Sequence, residues 1–182
     1  MFHKICIALS LSLLSVLAQA ATITADFVKT TGTRWTGEFS IFNDGSLAEL
    51  SSFTIYFDYS KVSNLIVLGS PSAWDSLAID ADSNLASDGF FDALVLDPAD
   101  ALRIVDSLGG FKVAFDWSDS LAPSGLVFTI NDPTTFAVLE SGMTQAPQDP
   151  GTVPEPASLS LALLAMAGLL GAKLTVRPRR QA

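Results

Sequence analysis

The sequence predicts an all-β protein whose central domain is an antiparallel β-sandwich, of jelly-roll or immunoglobulin-like type, with about nine strands. Apolar side chains recur at every second residue in several short runs, and turn-forming residues separate these runs. Both ends of the 182-residue chain carry apolar runs, which predict an N-terminal signal peptide and one C-terminal transmembrane helix. The predicted divisions are a signal peptide at 1–20, a sandwich at 21–143, a linker at 144–152 and a C-terminal segment with the transmembrane helix at 153–182.

Alternating apolar residues define the predicted strands. The clearest runs lie at residues 35–41, 53–59, 111–117, 126–130 and 136–140. A period of two is typical of a strand that buries one face and exposes the other to water. Turn-forming sequences separate the strands: Asn43-Asp44-Gly45, Gly69-Ser70-Pro71, Asp88-Gly89, Gly109-Gly110, Pro123-Ser124-Gly125 and Asn131-Asp132-Pro133.

One short helix is predicted at residues 98–108. Asp97 or Asp100 is suited to cap its first turn. Three apolar residues fall on one face of this helix: Leu102, Val105 and Leu108.

The charge of the central region limits the partners that it can bind. Residues 21–150 contain 18 Asp and Glu but five Lys and Arg, a net charge of −13. A nucleic-acid-binding surface needs clustered basic residues to meet phosphates. The composition therefore predicts no nucleic-acid partner.

Residues 1–20 are predicted to be a secretory signal peptide that signal peptidase removes. His3 and Lys4 precede an apolar run at 5–17, and Ala18 and Ala20 give the small-x-small pattern of a cleavage site. The run is shorter than the roughly 20 residues that span a bilayer comfortably. An uncleaved anchor is the alternative.

The single cysteine, Cys6, and the single histidine, His3, both lie in this predicted signal peptide. The exported chain is therefore expected to have no disulfide, no Cys nucleophile and no Ser-His-Asp triad. Zinc and copper sites lose their usual ligands. A carboxylate pair of the glycosidase kind, or a Ser-Lys pair, is the enzymatic chemistry that stays open.

The segment after the domain has an unusual proline pattern. Residues 144–152 are polar and proline-rich and predict a flexible linker. Val153, Pro154, Glu155 and Pro156 follow. The two prolines remove backbone donors and favour an extended backbone, which a processing enzyme can grip.

The apolar run that begins at Ala157 predicts a transmembrane helix over residues 157–176. Its first 16 residues carry no charge. Four basic residues are expected to hold the C-terminus in the cytoplasm and the acidic domain outside: Lys173, Arg177, Arg179 and Arg180. A buried helix of the domain is a poorer interpretation because the run has no polar face, and a permanent single-pass anchor is a further alternative.

The order of these parts, with Val-Pro-Glu-Pro at 153–156 before an apolar helix and an Arg cluster, resembles the PEP-CTERM sorting signal of Gram-negative bacteria. The resemblance covers the last 30 residues, and Lys173 and Pro178 are minor departures from the pattern. It implies processing by an exosortase, a membrane cysteine transpeptidase-like enzyme. It also implies transfer from an inner-membrane intermediate to the cell surface or the exopolysaccharide matrix, with Pro-Glu-Pro as the recognition element.

A second, looser resemblance concerns residues 53–69. This stretch is similar to cohesin-type sandwiches, in which a strand ending in Asp-x-Ser leads to a hydrophobic strand. The resemblance favours a sandwich fold and transfers no function.

The densest acidic stretch suggests a calcium site. Asp80, Asp82 and Asn84 recur at every second residue, and Asp88 follows. An EF-hand is excluded, because a Leu and a Phe stand where the loop needs its Gly and its bidentate acid. A looser calcium site formed by these four residues is the hypothesis, and a solvated acidic loop is the alternative.

The tryptophans suggest a sugar contact. Trp35 and Trp117 fall in phase with the core positions of their strands, whereas Trp74 follows a turn. Trp74 is therefore predicted to be exposed, with its ring available to a sugar face.

These features predict an exported, non-catalytic protein of the cell surface or extracellular matrix, structural or adhesive in exopolysaccharide or biofilm. A polysaccharide- or calcium-binding module is the alternative, and a carboxylate-pair glycan hydrolase is a third hypothesis. The expected partners are signal peptidase, an exosortase, the membrane and exopolysaccharide. No cofactor is expected apart from the hypothetical calcium ion.

Overall fold

The computed structural model describes residues 21–147, which form eleven strands and one 3₁₀ turn. The chain divides after Pro147 into two compact units, and the first contains every described residue. In chain order the elements are β1 (Thr22–Thr31), β2 (Arg34–Phe42), β3 (Glu49–Leu50), β4 (Ser52–Phe57), β5 (Val62–Gly69), β6 (Trp74–Ile79), β7 (Gly89–Val95), the 3₁₀ turn (Pro98–Asp100), β8 (Leu102–Arg103), β9 (Ser107–Trp117), β10 (Val127–Asn131) and β11 (Val138–Met143).

Nine of these strands form two main sheets. The four-stranded sheet has the order β1-β2-β9-β5, and the five-stranded sheet has the order β11-β10-β4-β7-β6. The short strands β3 and β8 pair separately. All named strand pairs are antiparallel. The predicted all-β antiparallel sandwich is therefore confirmed, while the predicted signal peptide and transmembrane helix lie outside the described residues.

The core consists mainly of phenylalanine rings contributed by both sheets. Phe53 and Phe91 from the five-stranded sheet meet Phe39 and Phe111 from the four-stranded sheet, and all four are fully buried. The rings of Phe53 and Phe111 are 5.0 Å apart in an edge-to-face arrangement. Such pairs add to the stabilisation that apolar burial provides. The alternation that predicted the strands therefore also places the core.

One open side of the sandwich is closed by an aspartate. Asp80 directly follows β6, and its carboxylate accepts hydrogen bonds from the backbone N–H groups of Asn64 at 2.9 Å and Leu65 at 3.1 Å. Asn64 and Leu65 belong to β5 of the other sheet. The carboxylate thus satisfies edge-strand donors and ties the two sheets together.

The chain that follows β11 closes the other side. Thr144 N–H donates to the Leu126 carbonyl at 2.8 Å, and Gln145 N–H donates to the Ile23 carbonyl at 2.9 Å. The Gln145 carbonyl accepts from Ala25 N–H at 2.8 Å. Thr144 is buried. The predicted start of the linker at Thr144 is therefore too early, because the domain continues at least through Gln145.

The predicted helix at 98–108 is wrong beyond its first turn. Asp97 caps the 3₁₀ turn, since its side chain accepts from Ala99 N–H at 2.9 Å. The following residues bond elsewhere: Leu102 pairs with Leu50, and Val105 N–H donates to the Asn43 carbonyl at 2.7 Å. These longer-range bonds replace the i→i−4 bonds that a helix would need.

Gly109-Gly110 is also not a turn, as the sequence predicts, but part of β9. The register shifts opposite Phe39 and Ser40, so that Gly110 is the extra residue of a bulge and has φ +99°. This conformation favours glycine. A Cβ at Gly109 would lie 2.7 Å from Ser40 Oγ.

The last predicted strand starts later than the sequence suggests. Phe136 lies in the turn before β11 with φ +57° and 75% exposure. Asp132 organises this turn, because its carboxylate accepts from the N–H groups of Thr134 at 2.9 Å and Thr135 at 2.7 Å. These bonds, the Thr135 one foremost, hold the pKa of Asp132 below its usual value.

Candidate functional site

A line of exposed apolar side chains crosses the outer face of the five-stranded sheet. We call it the apolar row; its members, from β11 to β6, are Met143, Val127, Tyr56, Phe90 and Ile79. Register places Val127 opposite Met143, and Phe90 opposite both Tyr56 and Ile79. Val127 comes next to Tyr56 because Phe128 pairs with Ile55. The row therefore takes one residue from each of the five strands.

The apolar row is accessible to a ligand. The exposed fractions are 45% for Ile79, 50% for Val127 and 60% for Met143, while Tyr56 and Phe90 are partly buried. Neighbouring residues on the two central strands that flank the Tyr56–Phe90 pair, Ile55 and Phe91, are instead fully buried. A contiguous exposed apolar surface of this kind is typical of an interaction site.

A row of polar side chains lies beside the apolar row on the same sheet face. Register aligns Ser141, Thr129, Thr54 and Asp92 across β11, β10, β4 and β7. The Thr54 hydroxyl donates to Asp92 Oδ1 at 2.6 Å and accepts from Asn131 Nδ2 at 2.9 Å. These hydrogen bonds fix the side chains that line one edge of the apolar row.

A cleft lies at the other edge of the apolar row. It has a volume of about 370 Å³, within the range of small-ligand sites. Tyr56 belongs both to the apolar row and to the cleft wall. The other lining residues are Asp58, Lys61, Asp88, Trp117 and the segment 124–127. We call this the Tyr56 cleft.

The carboxylates of the Tyr56 cleft are suited to accept hydrogen bonds. The Ser60 hydroxyl donates to Asp58 Oδ1 at 2.6 Å and Ser60 N–H donates at 2.8 Å. With help from nearby Lys61, these bonds hold the pKa of Asp58 below its usual value. Asp88 accepts from Tyr59 N–H at 3.0 Å. Asp58 is therefore an anionic acceptor at neutral pH.

Lys61 is the basic residue of the Tyr56 cleft. Its ammonium lies 3.7 Å from the Asp119 carboxylate and 5.7 Å from the centre of the Trp117 ring. The Trp117 indole N–H donates to the Leu121 carbonyl at 2.6 Å. Trp117 is 7% exposed, so the predicted core placement of this tryptophan is confirmed. Lys61 thus has an anionic and an aromatic partner already.

The two sheets differ sharply in the charge of their outer faces. Among the described residues, the five strands that supply the apolar row contain no Lys or Arg. Their acids are Asp75 and Asp92 on the outer face, and Glu140 on the inward phase opposite Ile130. The four-stranded sheet instead carries exposed ion pairs, such as Lys112 with Glu38 at 3.1 Å. Apart from Lys61 in the Tyr56 cleft, which faces Asp119, the charged side chains beside the apolar row are therefore acidic.

The four residues of the predicted calcium site do not share one coordination sphere. Asp80 is bonded to β5, whereas Asp82 Oδ1 accepts from Asn84 N–H at 2.8 Å within its own turn. Asp88 is bonded to Tyr59. Within residues 21–147, no three His, Cys, Asp or Glu side chains are grouped so as to hold a metal ion. The calcium site stays a prediction.

The predicted exposure of Trp74 is wrong. Trp74 is 4% exposed, and its ring lies 5.5 Å from that of Phe111 and 6.0 Å from that of Phe53. It begins β6, where it pairs with Val95, and thus faces the core. Because the preceding turn ends at Ala73, Trp74 is already a strand residue and takes the inward phase. Trp35, predicted to be buried, is partly buried, with Lys29 Nζ 5.8 Å from its ring centre.

The remaining predicted site residues lie outside the described part of the chain. They are the signal-peptidase residues Ala18 and Ala20, the motif Val153, Pro154, Glu155 and Pro156, and the basic residues Lys173, Arg177, Arg179 and Arg180. Within residues 21–147, no helix has the length and apolar character needed to cross a membrane.

Comparison with known families identifies the C-terminal segment. Residues 152–180 match the PEP-CTERM protein-sorting motif. The chain thus carries the sorting signal that its last residues predict. The motif implies an exported protein, a membrane-anchored intermediate and processing by an exosortase.

Solved structures with similar sheet architecture include carbohydrate-binding and cohesin modules. A CBM3 of Hungateiclostridium clariflavum has 14% sequence identity and a TM-score of 0.43, and the match covers 70% of this chain and 99% of that one. The chitin-binding domain of Chi18aC from Streptomyces coelicolor has 21% identity, a TM-score of 0.36 and coverage of 59% and 90%. The second type II cohesin module from the ScaA scaffoldin of Acetivibrio cellulolyticus has 12% identity and a TM-score of 0.36. The match covers 77% of this chain and 98% of that one.

These likenesses concern the fold alone, because the identities and TM-scores are low. A search of curated proteins returns no match to this sequence.

Proposed function

We propose that this chain is an exported, non-catalytic adhesion protein that binds polysaccharide at the cell surface or in the extracellular matrix. The observation that carries the proposal is the apolar row, which crosses all five strands of one sheet and has polar groups along both of its edges. The sorting motif at 152–180 supports the location.

The alternation of apolar and polar groups matches the chemistry of sugars. A pyranose ring presents an apolar face of C–H groups and a rim of hydroxyls. The rings of Tyr56 and Phe90 offer the surface on which such a face packs. Ser141 and Asp92 at one edge, and the Tyr56 cleft at the other, offer hydrogen-bond partners for the rim.

Lowered pKa values at several carboxyl groups fit a role as anionic hydrogen-bond acceptors. Among the described residues, three carboxyl groups have a pKa that departs clearly from the ordinary value: Asp58, Asp119 and Asp132. In all three the pKa is lowered. Backbone and hydroxyl donors stabilise their anionic forms.

The proposal predicts that a charge in the apolar row weakens polysaccharide binding. In Ile79→Asp the carboxylate would have to lose water against an apolar sugar face, so we expect binding to fall by about tenfold or more. The measurement is co-sedimentation of the purified full-length chain, kept in detergent, with exopolysaccharide from the producing bacterium.

Ile66→Asp is the matched control. Ile66 is 48% exposed on β5, against 45% for Ile79 on β6, and both strands lie at a sheet edge. Equal thermal unfolding of the two variants would establish equal folding. Binding that is unchanged by Ile79→Asp, or reduced equally by both substitutions, would exclude the apolar row as the binding surface.

A further inference from the structure

We infer that the apolar row binds an extended, uncharged polysaccharide of flat pyranose rings, laid across the strands with about one ring for each strand. This inference rests on the proposed function and names the class of glycan. Three features of the five-stranded sheet carry it: the spacing of the apolar row, the polar groups at both of its edges, and the sign of the surrounding charge.

The spacing of the apolar row is fixed by the hydrogen-bonded strands. Neighbouring strands lie about 4.8 Å apart, so the four steps from Met143 on β11 to Ile79 on β6 cover about 19 Å. A pyranose unit in an extended chain advances by nearly the same distance as one strand step. An extended glycan therefore places successive rings over successive members of the row.

The edges of the apolar row select the shape of the ring. On one side, the residues two positions from the row along their own strands are Thr129, Thr54 and Asp92. On the opposite side, the residues two positions from Tyr56 and Phe90 are Asp58 and Asp88 of the Tyr56 cleft. A pyranose ring with equatorial hydroxyls can pack its flat face on the apolar row. Its hydroxyls then point outward, toward the polar groups at both edges of the row. A glycan that coils, or whose rings carry axial groups, cannot keep this contact over several units.

The charge around the apolar row disfavours an acidic glycan. The outer faces of the five strands contribute Asp75 and Asp92 and no Lys or Arg, and the Tyr56 cleft adds Asp58 and Asp88. Lys61 in that cleft already faces Asp119. Charges in direct contact are closer than the screening distance of about 8 Å at physiological salt. A polyuronate would therefore meet repulsion at Asp92 and at the carboxylates of the Tyr56 cleft.

The test compares four defined polymers against the full-length chain in detergent. They are an unsubstituted β-1,4-glucan, a β-1,4-linked N-acetylglucosamine polymer, a coiled α-1,4-glucan and a β-1,4-linked polyuronate. We expect binding to one or both of the first two, and at least tenfold weaker binding to the coiled and acidic polymers. Tyr56→Ala and Ile79→Asp should each reduce the binding at least fivefold, and Ile66→Asp should leave it unchanged.

The outcomes separate this inference from the proposed function. The polyuronate or the coiled glucan could bind at least as well as both flat neutral polymers, through a contact that Ile79→Asp abolishes. That result would overturn the inference and leave the proposed function intact. Binding to the flat polymers that Ile79→Asp and Tyr56→Ala leave unchanged would also overturn it. If neither these polymers nor the producer's own exopolysaccharide bind, the proposed function falls as well.

Discussion

Phe111→Ala is expected to lower the free energy of unfolding of the sandwich by about 4 kcal/mol. Phe111 is fully buried, and its ring lies 5.0 Å from that of Phe53, 5.5 Å from that of Trp74 and 6.3 Å from that of Phe91. The substitution removes apolar burial and leaves a cavity against three rings of the five-stranded sheet, which rigid strands cannot close.

Urea-induced unfolding followed by tryptophan fluorescence measures this loss. Phe136→Ala is the control, because Phe136 is 75% exposed and its loss should change stability by about 0.5 kcal/mol or less. A loss under about 1.5 kcal/mol for Phe111→Ala, or equal losses for both variants, would contradict the placement of Phe111 at the centre of the core.

Asn43→Ala is expected to destabilise the sandwich by about 3 kcal/mol, an unusually large effect for a polar residue. Asn43 is fully buried at the end of β2. Its Nδ2 donates to the carbonyls of Leu47 at 3.0 Å and Leu102 at 3.1 Å, and its Oδ1 accepts from Gly45 N–H at 3.2 Å. Alanine would leave these backbone groups without partners, and each unpaired buried group costs about 1–3 kcal/mol.

The control for Asn43 is Asn84→Ala. Asn84 is an exposed residue of the turn between β6 and β7, so its loss should cost about 0.5 kcal/mol or less. Thermal unfolding of both variants by circular dichroism gives the comparison. If Asn43→Ala unfolds at the temperature of the unaltered chain, then Asn43 does not hold the 43–47 loop against β8.

The strand pattern of the fold follows from the sequence because burial on one face imposes a period of two. Phe53, Ile55 and Phe57 alternate in the sequence and are all fully buried in the structure. The same principle fails where backbone groups bond at long range. The helical spacing at 98–108 is overridden by the pairing of Leu102 with Leu50 and by the bond from Val105 to Asn43.

The candidate site is harder to predict because its residues fall on the polar phase of their strands. Tyr56 alternates with Ile55 and Phe57, and its ring must therefore point away from the core. Phe90 and Phe91 are consecutive in β7, so one of the two rings must face outward. These two signals are present in the sequence, but the register that joins them into the apolar row depends on how four strand pairs align.

The prediction for Trp74 fails in the opposite direction, since this residue is expected to be exposed and is buried. A tryptophan after a turn suggests display, yet the ring is buried because β6 begins with an inward residue paired to Val95. The phase of a strand cannot be read from its first residue when the partner strand is unknown. For this reason the sequence predicts an exposed ring at Trp74, whose indole is buried in the structure.

We propose that the chain is exported, is processed at its C-terminal sorting motif and is retained on polysaccharide by the apolar row. The most direct measurement is intact-mass analysis of the native protein after separation into cytosol, membrane and exopolysaccharide fractions. We predict a chain in the exopolysaccharide fraction that lacks both the first 20 residues and everything beyond the Pro-Glu-Pro region. A chain with its full C-terminus that stays in the inner membrane or the cytosol would contradict this account.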